Sequence, residues 1–303
     1  MSIKLKRGFS LIEILVSVAI IAILAGITMI NFKEPQDKAK LTKTKSDWAV
    51  MEGKYIEKLV GKWSFDEGSG TTVIDSTDFK NNGTLYNSPT WKDSKSCVSG
   101  QCLEFNGTNQ YVSISSAPVN LISGAKAKSI SAWIYPNSLS PGGIVVGINQ
   151  ASGSNQSFNV GIMTSSGNTY VFFDDYNVNN SIAISGTEIP ALSTWSHIVF
   201  AFDGTNWKYY LNGSLIKSGT FATTINTVPN IITIGRRMSG SPTTFFWSGM
   251  IDEPAVYSEA VTFAQVKSDY VAGLNQLLEK NEISQADYNS RISALGKNNL
   301  AEK

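Results

Sequence analysis

The sequence is poor in the residues from which most catalytic and metal centres are built. Two of its 303 residues are cysteine and one is histidine, which excludes a Cys/His zinc cluster. Charge is scarce as well: 25 Lys and Arg against 24 Asp and Glu leave a net charge of +1. No nucleic-acid footprint follows from such a balance. Neither a Gly-x-Ser-x-Gly elbow nor the Glu-x-Asp-x-Glu alternation that would line a sandwich glycosidase cleft occurs. The lone His197 falls in a strand pattern, so it reads as a sheet-packed side chain, not a base. No enzyme is expected.

What the chain does have is one long apolar run. From Phe9 to Phe32 there are 24 residues and a single charged side chain, Glu13. As a helix this run would rise roughly 36 Å, enough to cross a bilayer. A carboxylate inside hydrocarbon costs about 3 kcal/mol or more, so Glu13 needs a partner. A secretory signal or a plain membrane anchor accounts for the basic start (Lys4, Lys6, Arg7) and the apolar core, but not for that acid.

Gly8-Phe9-Ser10-Leu11-Ile12-Glu13 resembles the prepilin signature of type IV pilins and type II secretion pseudopilins. The resemblance implies that a prepilin peptidase cuts between Gly8 and Phe9, that the new Phe9 amine is methylated, and that the helix is retained. It also implies a role for Glu13: neutralising the Phe9 amine of a neighbouring subunit during filament assembly, since neither charge is cheap to bury alone. The expected divisions are a leader at 1–8, a pilin helix at 9–60 with its membrane and filament segment at 9–32, a sandwich at 61–258 and a helical tail at 259–303. Pro35 predicts a kink, after which Leu41, Trp48, Met51, Tyr55 and Leu59 form one helical stripe.

Near Gly61 the period changes to short alternating runs rich in β-branched and aromatic residues. Ser129–Pro136, Ile144–Ile148, Asn159–Met163, Tyr170–Asp174 and Ile198–Phe202 read as strands. Asp203-Gly204 and Asn212-Gly213 read as turns around Trp207–Leu211. About a dozen strands without intervening helices predict a mainly β chain folded as a sandwich.

Several pieces, in order, resemble the laminin G-like, concanavalin A-like jelly rolls: Leu59–Gly70, Asn82–Leu85, Leu103–Ile114, Ser129–Pro136, Trp195–Leu215, Ile232–Arg236 and Gly249–Tyr257. The resemblance places Trp63, Phe65, Phe105, Trp133, Phe200 and Tyr257 in the core or between the sheets. It also implies binding of glycans or proteins, often with calcium, for which Asp66, Asp75 and Asp252 are the available acids. Where the family carries acids after Phe-Asp-Gly, this chain has Asn106, Asn109 and Gln110. Tyr176, Asp174 and Trp247 are candidate ligand residues, offering aromatic faces and a polar edge; Phe245–Trp247 reads equally as a strand entering the core.

Cys97 and Cys102 enclose four residues and suit a small disulfide loop outside the cytoplasm, with a pair of free thiols as the alternative. Beyond Tyr257, two helical stripes (Phe263, Val266, Tyr270, Leu274, Leu277, then Tyr288, Ile292, Leu295) predict a hairpin. Its second helix should be capped at Ser284 and stop at Gly296.

The function expected is a minor or tip-displayed pilin-like filament subunit exposing an adhesive, lectin-like sandwich. A type II secretion pseudopilin and a membrane-anchored receptor that never polymerises remain as alternatives. The expected partners are other pilin subunits, the prepilin peptidase, the inner membrane before assembly and a glycan or surface-protein ligand; the globular part lies outside the cytoplasm.

Overall fold

The computed structural model describes residues 58–298, apart from 116–118, 150–156, 167, 175–181, 223 and 239–244. Gly8, Phe9, Glu13 and the apolar run lie outside the described residues. Among the described residues no helix is long and apolar enough to cross a membrane.

Sixteen strands are described. The first six are β1 (Leu59–Lys62), β2 (Thr72–Val73), β3 (Gly83–Tyr86), β4 (Thr90–Lys92), β5 (Cys102–Asn106) and β6 (Tyr111–Ile114). Next come β7 (Lys128–Pro136), β8 (Gly142–Asn149), β9 (Phe158–Ser165), β10 (Asn168–Asp174) and β11 (Ile182–Ile184). The last five are β12 (Ser196–Phe202), β13 (Asn206–Leu211), β14 (Ser214–Thr220), β15 (Ile231–Ile234) and β16 (Ser248–Tyr257). Two helices follow, α1 (Phe263–Glu279) and α2 (Gln285–Asn298).

The strands form two eight-stranded antiparallel sheets. The first runs β14-β13-β12-β7-β16-β5-β4, with β1 also on β16; the second runs β11-β10-β9-β8-β15-β6-β3-β2. Half of the pairings join strands that are not consecutive in sequence, as in a jelly roll. Leu59, expected at the end of the helical stripe, instead opens β1 and pairs with Tyr257. One apolar residue cannot tell a helix end from a strand start, and the pairing decides it.

Between the sheets lies one apolar core containing Trp63, Phe65, Phe105, Phe158, Phe173, Phe200 and Tyr209. Phe173 stacks on Phe200 with centroids 4.4 Å apart, and Phe158 meets Phe173 edge-on at 4.5 Å, the offset and edge arrangements aromatic quadrupoles favour. At the Asn212-Gly213 turn both residues have positive φ, 51° and 74°. This is the type I′ geometry expected of a two-residue hairpin.

Strands of a one-sided sheet should alternate buried and exposed residues, yet every residue of β12 is buried. The reason is the C-terminal pair of helices. Trp133, Trp195, Met250, Tyr270, Leu274, Leu277 and Leu295 form a second apolar cluster on the outer face of the first sheet. Trp133 therefore packs beneath α1 instead of between the sheets, and Tyr257 joins a third cluster with Val199, Tyr210 and Val266. Thr262 caps α1 by accepting from the Gln265 N–H, and Ser284 accepts from the Asp287 N–H at the start of α2. Gly296 does not stop α2, which continues to Asn298.

Candidate functional site

The two outer faces of the sandwich differ in what covers them. On the first, α1 and α2 are tied down by polar contacts as well as apolar ones: Lys280 Nζ donates to the Cys97 carbonyl at 3.0 Å and Arg291 Nη1 to the Trp195 carbonyl at 3.3 Å. Beneath α1, His197, Trp133 and Asp252 form one row across β12, β7 and β16. A cavity of about 290 Å³ lies there, lined by Lys62, Trp133, His197, Glu253, Asp269 and Gln276 among others.

Ser131 Oγ and His197 Nε2 stand 2.9 Å apart in this cavity wall, the spacing of a nucleophile and its base. Burial lowers the imidazole to about 3, so at neutral pH it is a very weak proton acceptor. Nδ1 has no hydrogen-bond partner, so no carboxylate orients the ring. Asp252 is pushed well above the usual carboxylate range, first by burial, while the Ser99 N–H on Oδ2 pulls the other way.

The second sheet carries a different surface. Tyr86 and Tyr111 are directly opposed on β3 and β6, and because Leu85 and Val112 point into the core, both rings stand on the outer face. The rings stack with centroids 4.7 Å apart and planes 4° from parallel. Tyr86 is 44% exposed. The Arg236 guanidinium lies 4.6 Å above the Tyr111 ring and 5.4 Å from that of Phe246, a stacked arrangement to which arginine is suited.

The backbone beneath that guanidinium is fixed by buried polar groups. Asn149 Nδ2 donates to Thr233 Oγ1 at 2.8 Å, and Thr233 Oγ1 donates to the Arg236 carbonyl at 2.6 Å. Gly147 must be a glycine for this row to exist: a Cβ there would lie 2.5 Å from Asn149 Nδ2. Beside the tyrosines, Gln110 Nε2 donates to the carbonyls of Asn87 and Ser88, and Asn87 Nδ2 donates to that of Asn109. The amides that stand in place of the family's acids thus brace a loop at the platform's edge.

Several expected site residues take other roles. Trp247 is only 1% exposed and belongs to the central core, so it is not a ligand residue; the aromatic triplet divides, with Phe246 joining the platform and Phe245 stacking on Phe172. Tyr176 lies outside the described residues, and Asp174 ends β10.

The three acids expected to hold calcium are not set out as one group. Asp75 is fully buried and spends both oxygens on the chain: Oδ1 accepts from the N–H groups of Lys62 and Thr77, Oδ2 from Thr77 Oγ1 and the Asn81 N–H. Asp66 and Asp252 accept backbone N–H groups of Gln101 and Ser99, and the cation brought to that loop is Lys280. Among the described residues, no group of three or more His, Cys, Asp or Glu could hold a metal ion. The loop itself is closed by a Cys97–Cys102 disulfide.

Tyr86, Tyr111 and Arg236 were not singled out by sequence; of the platform only Phe246 was, within the Phe245–Trp247 triplet. Their signal was there: two tyrosines each adjacent to a core residue and so on the opposite face of its strand, and the chain's one Arg-Arg pair, Arg236-Arg237. What the sequence could not supply is that β3, β6 and the end of β15 are neighbours.

Two antiparallel sheets in jelly-roll order, with an aromatic platform on the open face, define a lectin-like sandwich. The chain belongs to the concanavalin A-like lectin/glucanases superfamily, whose family model matches residues 106–267, more than half its length. Residues 3–29 match the prokaryotic N-terminal methylation motif.

Solved structures share the fold at low identity. Domain 4 of AbnA, a GH43 extracellular arabinanase from Geobacillus stearothermophilus solved with arabinotriose, is 22% identical over 70% of this chain and 97% of that one, with a TM-score of 0.53. The botulinum neurotoxin serotype D binding domain is 11% identical over 73% of this chain and 53% of that one, TM-score 0.55. A botulinum neurotoxin type C structure, from work describing cell entry dependent on two ganglioside molecules, is 13% identical with the same coverages and TM-score. This chain thus spans about half the length of the toxin structures. No curated protein matches it.

Proposed function

We propose that the chain is a minor or tip-displayed pilin-like subunit that carries its sandwich outside the cell as a non-catalytic, glycan-binding module. In this reading a prepilin peptidase cuts after Gly8, Phe9 is methylated, and Glu13 pairs with the Phe9 amine of the next subunit, so that the chain passes from the inner membrane into a filament with other pilins. The methylation motif at residues 3–29 supports the assembly half.

The observation that carries the binding half is the Tyr86–Tyr111–Arg236 platform on the outer face that α1 and α2 do not cover. Flat aromatic faces beside fixed polar edges suit the apolar face and hydroxyl rim of a pyranose. Nothing in the buried Ser131–His197 pair argues for chemistry, since burial disfavours the imidazolium that a general base must become.

A glycan array probed with the full chain in detergent micelles tests the reading. Selective binding to a subset of saccharides, weakened at least about tenfold by Tyr86→Ala, is expected. An array blank for every saccharide contradicts it.

A further inference from the structure

Resting on the glycan-binding reading, we propose that the platform selects acidic saccharides, with Arg236 clamping a sugar carboxylate beside the Tyr86–Tyr111 stack. Three observations carry this. First, the guanidinium is held 4.6 Å over Tyr111 and 5.4 Å from Phe246, so it is positioned before any ligand arrives. Second, among the described residues its one hydrogen bond is from Nε to the Arg237 carbonyl at 3.1 Å, and no carboxylate pairs with it. Both Nη groups therefore retain their donors, in the spacing that meets two carboxylate oxygens.

Third, the described neighbours of the tyrosines are neutral amides. The loop beside the tyrosines presents Asn87, Asn109 and Gln110, amides whose hydrogen bonds are made within the loop, where acids would have opposed an anion.

A saccharide lying across the stack from Tyr86 would place a substituent of a neighbouring sugar at Arg236, since Tyr111 lies between Tyr86 and Arg236 and touches both. A carboxylate on that substituent meets the fork; a hydroxymethyl group there gives it no charge. The shared chemistry is a carboxylated pyranose, which uronic acids of polysaccharides and terminal sialic acids both supply.

The test is titration calorimetry of the full chain in micelles with four probes: sialyllactose, lactose, a galacturonic acid tetrasaccharide and the methyl ester of that tetrasaccharide. At least one acidic probe is expected to bind about tenfold tighter than its neutral counterpart. Arg236→Gln should abolish that difference. Raising salt from about 50 to 300 mM should weaken only the acidic probe. Which pair shows the difference tells uronate from sialate.

Because the ester changes the ligand and leaves the protein intact, the uronate comparison stands even where Arg236→Gln folds poorly. Equal affinity for acidic and neutral members of both pairs overturns the acidic preference while sparing a neutral-glycan module. Failure to bind any of the four probes, together with a blank array, overturns both.

Discussion

At the scale of single residues, burial sets the chemistry. His197 and Lys128 are bases placed where water does not reach, and each is driven toward its neutral form. Burial, with a smaller push from Lys126, brings the Lys128 ammonium down to about 7, although it donates to the Gly124 carbonyl and lies 5.4 Å from the Phe158 ring. For His197 the folded value of about 3 lies below the usual 6.5. The unfolded chain therefore binds a proton the folded chain refuses between those values. Stability attributable to His197 is complete above pH 6.5 and is lost as pH falls toward 3, by up to about 1.4 kcal/mol per pH unit.

Asp252 has the opposite sign, because its raised folded value adds stability on the acid side that fades as pH rises. Replacing the histidine separates the two. Urea midpoints measured at pH 7 and 4.5 should fall more for the wild type than for His197→Phe. An equal fall in both proteins would mean that the imidazole is not sequestered.

At the scale of elements, the helical hairpin and the loops around it decide which face of the sandwich is free. Gly273 is the contact that lets α1 lie on the sheet: a Cβ there would stand 2.3 Å from Trp133 Cζ2. That indole cannot easily retreat, with Tyr270 at 5.5 Å and His197 at 5.2 Å between ring centroids. Alanine gains about 1 kcal/mol of helix propensity over glycine, while overpacking a filled site costs about 1–3 kcal/mol. Overpacking should win at a clamped tryptophan. Gly273→Ala should lower the melting temperature by several degrees, and a rise would show that α1 has room to spare.

Much of this was legible in the sequence, because period and turn chemistry are local. The strands at Ser129–Pro136 and Ile198–Phe202, the turn at Asn212-Gly213 and the cap at Ser284 all follow from residues within a few positions of one another. The misplacements share a different cause. Leu59 and Trp247 each owe their role to partners far along the chain: Tyr257 across β1 and β16, and the inter-sheet core. The platform escaped notice for the same reason.

At the scale of the whole molecule, the chain joins a methylation motif at residues 3–29 to a sandwich that begins at Leu59. The outer face of its second sheet carries the aromatic and arginine side chains, while that of the first is occupied by the chain's own C-terminal helices. Such a division suits a subunit fixed by one end and displaying the other. Everything proposed about assembly turns on a single covalent event at Gly8-Phe9. Mass spectrometry of the N-terminal peptide, taken from filaments sheared off the cell surface, tests it most directly. The account predicts a chain beginning at N-methylated Phe9; an intact Met1 or a cut beyond the apolar run, near Ala25, would contradict it.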